Sequence, residues 1–174
     1  MMGLTVGNHD MAMRTFGQLA IHDPVMAFAG GSEMTRVDIY GAIGWDVYAD
    51  EFLAAFRAIP AENEIDLRIH SYGGSVTEGW AMALAVQNHK GRVNGTIEGT
   101  AASMASIIAM SCDELLMPKN SYIMIHRVSN IAGGNADDLD NAARLTRQFE
   151  DDIVNFYSEK TGIATGEIRE MMAV

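Results

Sequence analysis

The stretch "EIDLRIHSYGGSVTEGWAMALAVQNHKG", residues 64–91, carries two periodicities separated by a pair of glycines. In "EIDLRIHS" (64–71) Ile65, Leu67 and Ile69 alternate with polar residues, which is the period of a strand. The strand ends at Gly73–Gly74, and "SVTEGWAMALAVQNHKG" (75–91) then reads as a helix stopped by Gly91. Strand, glycine turn and helix make up half of a β-α-β unit, and the same alternation continues in both directions.

Upstream, "TRVDIYGAI" (35–43) alternates Val37, Ile39 and Ala42 or Ile43 as a strand does. "DVYADEFLAAFRAIP" (46–60) places Tyr48, Phe52, Ala55, Phe56 and Ile59 at helical spacing and closes at Pro60. Downstream, "RVNGTIEGT" (92–100) is a strand running into "GTAASMASIIAMSC" (99–112), whose "SMASIIAMSC" reads as a short buried helix. "DELLMP" and "SYIMIHRV" (121–128) follow as strands. Residues 137–160 form the longest helix, an arm with Leu139, Ala143, Phe149, Ile153 and Phe156 roughly on one face. Asn135, three residues ahead of Asp138, makes its N-cap. "TG" at 161–162 ends it, and "TGEIREMM" starts a last short helix.

The expectation is therefore an α/β fold of β-α-β units with a long C-terminal helical arm, about 135–160. Residues 35–174 form one domain in this reading, and residues 1–34 a peripheral, partly mobile segment. With 48% hydrophobic and 20% charged residues, the chain has the composition of a folded domain rather than a disordered one.

A net charge of −11 argues against nucleic acid or an anionic membrane as partner. The quoted apolar stretch at 99–112 is shorter than the roughly 18 residues of a membrane span. The N-terminal stretch lacks a charged start followed by an apolar block, so no secretory signal is expected and the cytoplasm fits best. Cys112 is the single cysteine, which leaves no internal disulfide and no cysteine metal cluster. No nucleotide-binding loop is present, and neither a cofactor nor a metal is expected. Thirteen methionines suit either core filling or variable subunit contacts.

Three features stand where strands end, the usual location of function in α/β folds. Gly73–Gly74 allow a sharp backbone turn that leaves an N–H open to a ligand, although a glycine pair is also a common turn. Ser103 lies among Ala101, Ala102 and Ala105. It is either a small residue packed at the neck of a helix or a nucleophile. At a helix start, the N–H groups of Met104 and its neighbours lack intrahelical partners and can hold an oxyanion. His126 shares a strand face with Met124 and Val128, while Ile123, Ile125 and Arg127 take the other, so a central strand and a buried or cleft position are expected. Of the other histidines, His70 is the rival base because it stands near the glycine pair. A serine nucleophile needs a base within reach and an acid that orients the base.

"SYGGSV", "GTAASMAS" and "IMIHRV", in this order and at these separations, resemble the proteolytic subunit of the Clp protease. "KGRV", "GNADDL" and "KTG…EIREMM" are most similar to the related head maturation proteases of tailed phages. The resemblance covers about residues 36–174. It implies Ser103 as nucleophile, His126 as general base and then acid, and the N–H groups of Gly74 and Met104 as oxyanion hole. Tyr72 stands where the family has proline, at the rim of the cleft beside Gly73. The resemblance further implies the crotonase-like superhelix and an extended peptide or protein substrate lying beside strand residues. It also implies a homo-oligomeric ring with ring-to-ring contacts through the arm, and as partners capsid or scaffold proteins or an ATP-driven unfoldase.

The family's triad acid would fall about one residue beyond Val174, with Asp151 and Asp152 as substitutes in mid-helix. The alternatives are a Ser–His pair, a truncated form, or a catalytically impaired assembly or scaffold-associated protein. An acyl-CoA enzyme would share the two-donor oxyanion hole but has no need of the serine and histidine. A serine–lysine peptidase would need Lys90, Lys119 or Lys160, none of which lies in a matching motif.

Overall fold

A computed structural model describes residues 18–21, 25–26 and 33–173, so most of the segment expected to be peripheral lies outside the described residues. The chain divides into two compact units, 1–124 and 125–174.

The first unit contains β1 (Gln18–Ile21), β2 (Val25–Met26), β3 (Glu33–Ile43), α1 (Ala49–Ala58), β4 (Glu64–Gly74), α2 (Val76–Gln87), β5 (Val93–Ala102), α3 (Met104–Met110), β6 (Glu114–Leu116) and β7 (Tyr122–Met124). They form one seven-stranded sheet in the order β1-β3-β4-β5-β6. β3, β4, β5, β6 and β7 run parallel, while β1 and β2 pair antiparallel with β3. The sequence carries no strand signal for β1 and β2.

Register explains the core. Val37 and Ile39 of β3 lie opposite Leu67 and Ile69 of β4, and Ile65 and Ile69 lie opposite Val93 and Ile97 of β5. Period-2 alternation thus collects all these residues on one face, where each is buried. Every such Ile or Leu contributes roughly 1.5–3 kcal/mol by leaving water. α3 packs on β4, β5 and α2, and α1 packs on α2. α1 buries Ala49, Phe52 and Phe56, with the two phenyl rings stacked at 5.0 Å. Six consecutive residues of α3, Met104 to Ala109, are buried, so this short helix is a core element over all but its last residue.

The opposite face of β3–β5 is charged. Arg36 pairs with Asp38 at 2.8 Å, and Arg68 bridges Asp66 at 2.7 Å and Glu98 at 3.1 Å. The Arg68–Glu98 pair crosses from β4 to β5, while Arg36–Asp38 and Arg68–Asp66 lie within β3 and β4.

Three expectations are corrected. Tyr48 is the N-cap of α1 and 45% exposed, not part of its apolar face. α2 ends at Gln87, because Asn88 caps it by donating its side chain to the Leu84 carbonyl at 2.7 Å. Gly91 instead serves a close approach to Asn63 and donates its N–H to the Ala61 carbonyl at 2.8 Å. The strand expected over 121–128 is only Tyr122–Met124, and its outer residues are exposed rather than central. β7 pairs with β5 only along Thr100–Ala102; beyond that point the partner turns into α3 and offers no further ladder.

The second unit is built on α4 (Ala136–Thr161) and α5 (Thr165–Met171). Asn135 and Asp138 form the expected reciprocal cap, at 3.1 and 3.0 Å. Gly162, with φ 74°, ends α4. Only the C-terminal half of α4 is buried, through Ile153, Val154, Phe156 and Tyr157, while Leu139 is 46% exposed and Ala143 and Phe149 are half-buried. Length is the reason: α4 has 26 residues and α5 only 7. At 1.5 Å per residue, α5 covers about two turns of a helix roughly 40 Å long.

Candidate active site

Ser103 is the hinge between β5 and α3, with φ 53° and ψ −127°. Apart from Asn120, it is the one described non-glycine residue with positive φ. Such a backbone costs of order 1–3 kcal/mol and persists only where its surroundings over-determine it. Here they do. The Ser103 N–H donates to the Met124 carbonyl at 2.8 Å, and the Ser103 carbonyl accepts the Ser106 N–H at 3.0 Å. A serine on a strained strand-to-helix turn is held out from both elements, which is the arrangement used to present a nucleophilic hydroxyl.

The glycine pair lies against this turn. Gly73 has φ 86°, and a Cβ there would stand 2.5 Å from the Ala102 oxygen, 2.6 Å from the Ser103 Cβ and 2.8 Å from the Met104 nitrogen. Gly74 has φ 150°, and a Cβ on it would collide with the Ile43 carbonyl. Both are therefore sites of close backbone approach inside β4 rather than members of a free loop. Ser71 braces them, accepting the Gly73 N–H at 3.1 Å and donating to the Gly41 carbonyl at 2.5 Å. Immediately after the pair, Ser75 caps α2.

The first unit thus brings together Gly73, Gly74, Ser103 and Met104. His126 belongs to the second unit, two residues past the end of β7, and is half-buried. In that unit the Arg127 N–H donates to the Met172 carbonyl at 3.1 Å. Asp151 is 60% exposed and engaged by Arg169 at 2.7 Å, and Asp152 is exposed. Tyr72 is 72% exposed, with its ring edge-on to His70 at 6.1 Å.

His70 shares its strand face with Asp66 and Arg68, opposite Ile69 and Ser71. Its Nδ1 is buried without a hydrogen-bond partner among the described residues. Next to it, Tyr40 donates its hydroxyl to Glu98. Burial, then the bond to Glu98 and its charge, push the Tyr40 phenol up to about 12 from 10.0. A raised acid pKa means that the folded state holds the proton more tightly. The Tyr40 contribution is thus fully present below pH 10 and fades as pH rises toward 12. The stability difference between the parent and Tyr40→Phe, measured by urea unfolding, is expected to be flat below pH 10 and to shrink above it.

A family model, Clp protease, matches residues 32–173. This chain belongs to the Clp protease family. Its mixed α/β architecture with a parallel sheet and a C-terminal helix is the ClpP-like fold that the motifs implied. Among curated proteins it is similar to two uncharacterized proteins of Methanocaldococcus jannaschii. One is 38% identical over 75 residues, which covers 43% of this chain and 26% of that protein. The other is 26% identical over 153 residues, covering 73% and 54%. The chain thus spans about half or less of the length of these relatives. Among the described residues, no helix is long and apolar enough to cross a membrane, and no group of His, Cys, Asp or Glu is arranged to hold a metal ion.

Sequence reasoning missed Gly79. A Cβ on it would lie 2.8 and 2.9 Å from the Met104 Cε and Cβ, so α2 can approach the start of α3 only at a glycine. A glycine inside a helix, which costs about 1 kcal/mol relative to alanine, was the available signal.

Proposed function

We propose that this protein is a serine endopeptidase of the Clp type that works through an acyl-enzyme. The observation that carries the reading is the strained backbone of Ser103 at the β5–α3 junction, with Gly73 in close approach. In this reading Ser103 Oγ attacks the scissile carbonyl. His126 takes the proton and returns it to the leaving amine, and the N–H groups of Gly74 and Met104 hold the oxyanion. Gly73 and Tyr72 border the path of an extended substrate.

The order of the motifs supports His126 as the base, since "IMIHRV" follows "GTAASMAS" as the family resemblance implies. In this proposal the acid that orients the imidazole is the one the resemblance implies just past Val174 in a longer chain.

Residues 35–174 act in this proposal as a single protease domain of a cytoplasmic, self-compartmentalising homo-oligomer. Its contacts use the uncovered half of α4, where Leu139 and Leu145 are 46% and 42% exposed. Capsid or scaffold proteins are the proposed substrates, on the strength of the phage-like motifs. The test is a fluorophosphonate probe with the adduct located by mass spectrometry. An adduct on Ser103 in the parent that is lost in His126→Ala is the expected result. Absence of any adduct in the parent would overturn the peptidase reading and favour the impaired assembly protein.

A further inference from the structure

The Ser103–Met104 peptide has one plane and two polar ends. The Ser103 carbonyl points one way and the Met104 N–H, the proposed oxyanion donor, points the other. Whatever fixes the carbonyl therefore aims the N–H. Two donors from one residue converge on that carbonyl: the Ser106 N–H at 3.0 Å and the Ser106 hydroxyl at 2.6 Å. Ser106 is 0% exposed, between Ala105 and Ile107, which are likewise 0% exposed. The first bond is what any residue beginning this helical turn would supply. The second needs a hydroxyl, and that hydroxyl lies in the apolar core of α3.

We propose that Ser106 is a positioning residue for peptide-bond hydrolysis, whose hydroxyl locks the Ser103–Met104 peptide so that the Met104 N–H faces the oxyanion. The proposal rests on the reading of Ser103 as nucleophile. Two physical effects act together. Turning the peptide over would break both bonds at once, which makes the flipped state rare. In addition, donors on a carbonyl polarise its peptide and strengthen the N–H at the other end as a donor. The strain at Ser103 gives the lock its purpose, since a serine at φ 53° persists only where its surroundings hold it.

The experiment compares parent, Ser106→Ala, Ser106→Thr and Ser103→Ala. With a short peptide ester or amide, Ser106→Ala is expected to lose about tenfold in kcat, as one hydrogen bond of ordinary net strength allows, with KM unchanged within twofold. A peptide boronate, which forms the tetrahedral adduct, should bind Ser106→Ala more weakly by the same factor, while binding of the uncleaved peptide to the Ser103→Ala background stays level. The pH dependence of kcat should keep its position, because the proposed base is untouched. Ser106→Thr, which restores a hydroxyl at the cost of one methyl, should recover most of kcat. Equal kcat and boronate affinity in parent and Ser106→Ala would overturn the proposal, as would a loss confined to KM or thermal stability.

A second readout separates this proposal from the peptidase reading. The Met104 amide proton, followed by NMR with labelled methionine, should move upfield and exchange faster in Ser106→Ala. If the parent forms no Ser103 adduct, the nucleophile assignment fails while this shift still reports the lock. An unmoved Met104 amide would overturn the lock whatever the activity.

Discussion

Ser103→Ala is expected to lower peptide turnover by on the order of 10⁴ or more and to abolish the fluorophosphonate adduct, because the proposed acyl-enzyme forms on the Ser103 oxygen. The fold should survive. Alanine keeps the Cβ that already stands at φ 53°, and the hydrogen bonds that hold the turn run through the backbone. Ser103→Gly separates the two roles further. It should be equally inactive yet more stable by roughly 1 kcal/mol, since glycine adopts this region without steric cost. Residual turnover comparable to the parent in both variants would sink the nucleophile assignment. A stable, inactive Ser103→Gly would place the strain among the costs of function.

Gly73→Ala is expected to lose several kcal/mol of stability together with activity. The added methyl would meet the Ala102 oxygen, the Ser103 Cβ and the Met104 nitrogen at 2.5–2.8 Å, and two of these are backbone atoms that cannot swing aside. At φ 86° the alanine is strained in addition. Relief requires β4 and the start of α3 to part, which displaces the Ser103–Met104 peptide itself. Gly166→Ala is the control. Nothing stands within 4 Å of its Cβ position, so the change in midpoint should be small and stabilising, about 0.4–1 kcal/mol. Urea unfolding of the pair decides the matter. Similar midpoints for the two variants would mean that the close approach at Gly73 yields at no cost.

Much of the fold was legible because its signals are local. Alternation at 65–69 and helical spacing at 52–59 each show in a short window, and Asn135 with Asp138 marks the start of α4 as it stands. Errors arose where a local pattern outran its partner. The alternation at 121–128 continues past Met124, but a strand exists only while a neighbour offers its ladder, and β5 stops at Ala102. Leu139 is nearly in helical phase with Ile153, yet burial requires a second surface, and α5 reaches only the far end of α4.

For the site, residue types and order were readable: a glycine pair, a serine among small neighbours and a histidine. Their meaning depended on contact. Gly73 and Ser103 stand thirty residues apart in the chain and touch because β4 and β5 are parallel neighbours in the sheet. That contact leaves no room for a Cβ at Gly73 and lies at the turn where Ser103 stands at φ 53°. Sequence alone determined the alternation of elements and the family they resemble, since both are written in spacing along one chain. Tertiary structure decided where β7 ends and how Ser103 is strained, because each is settled by atoms far away in sequence.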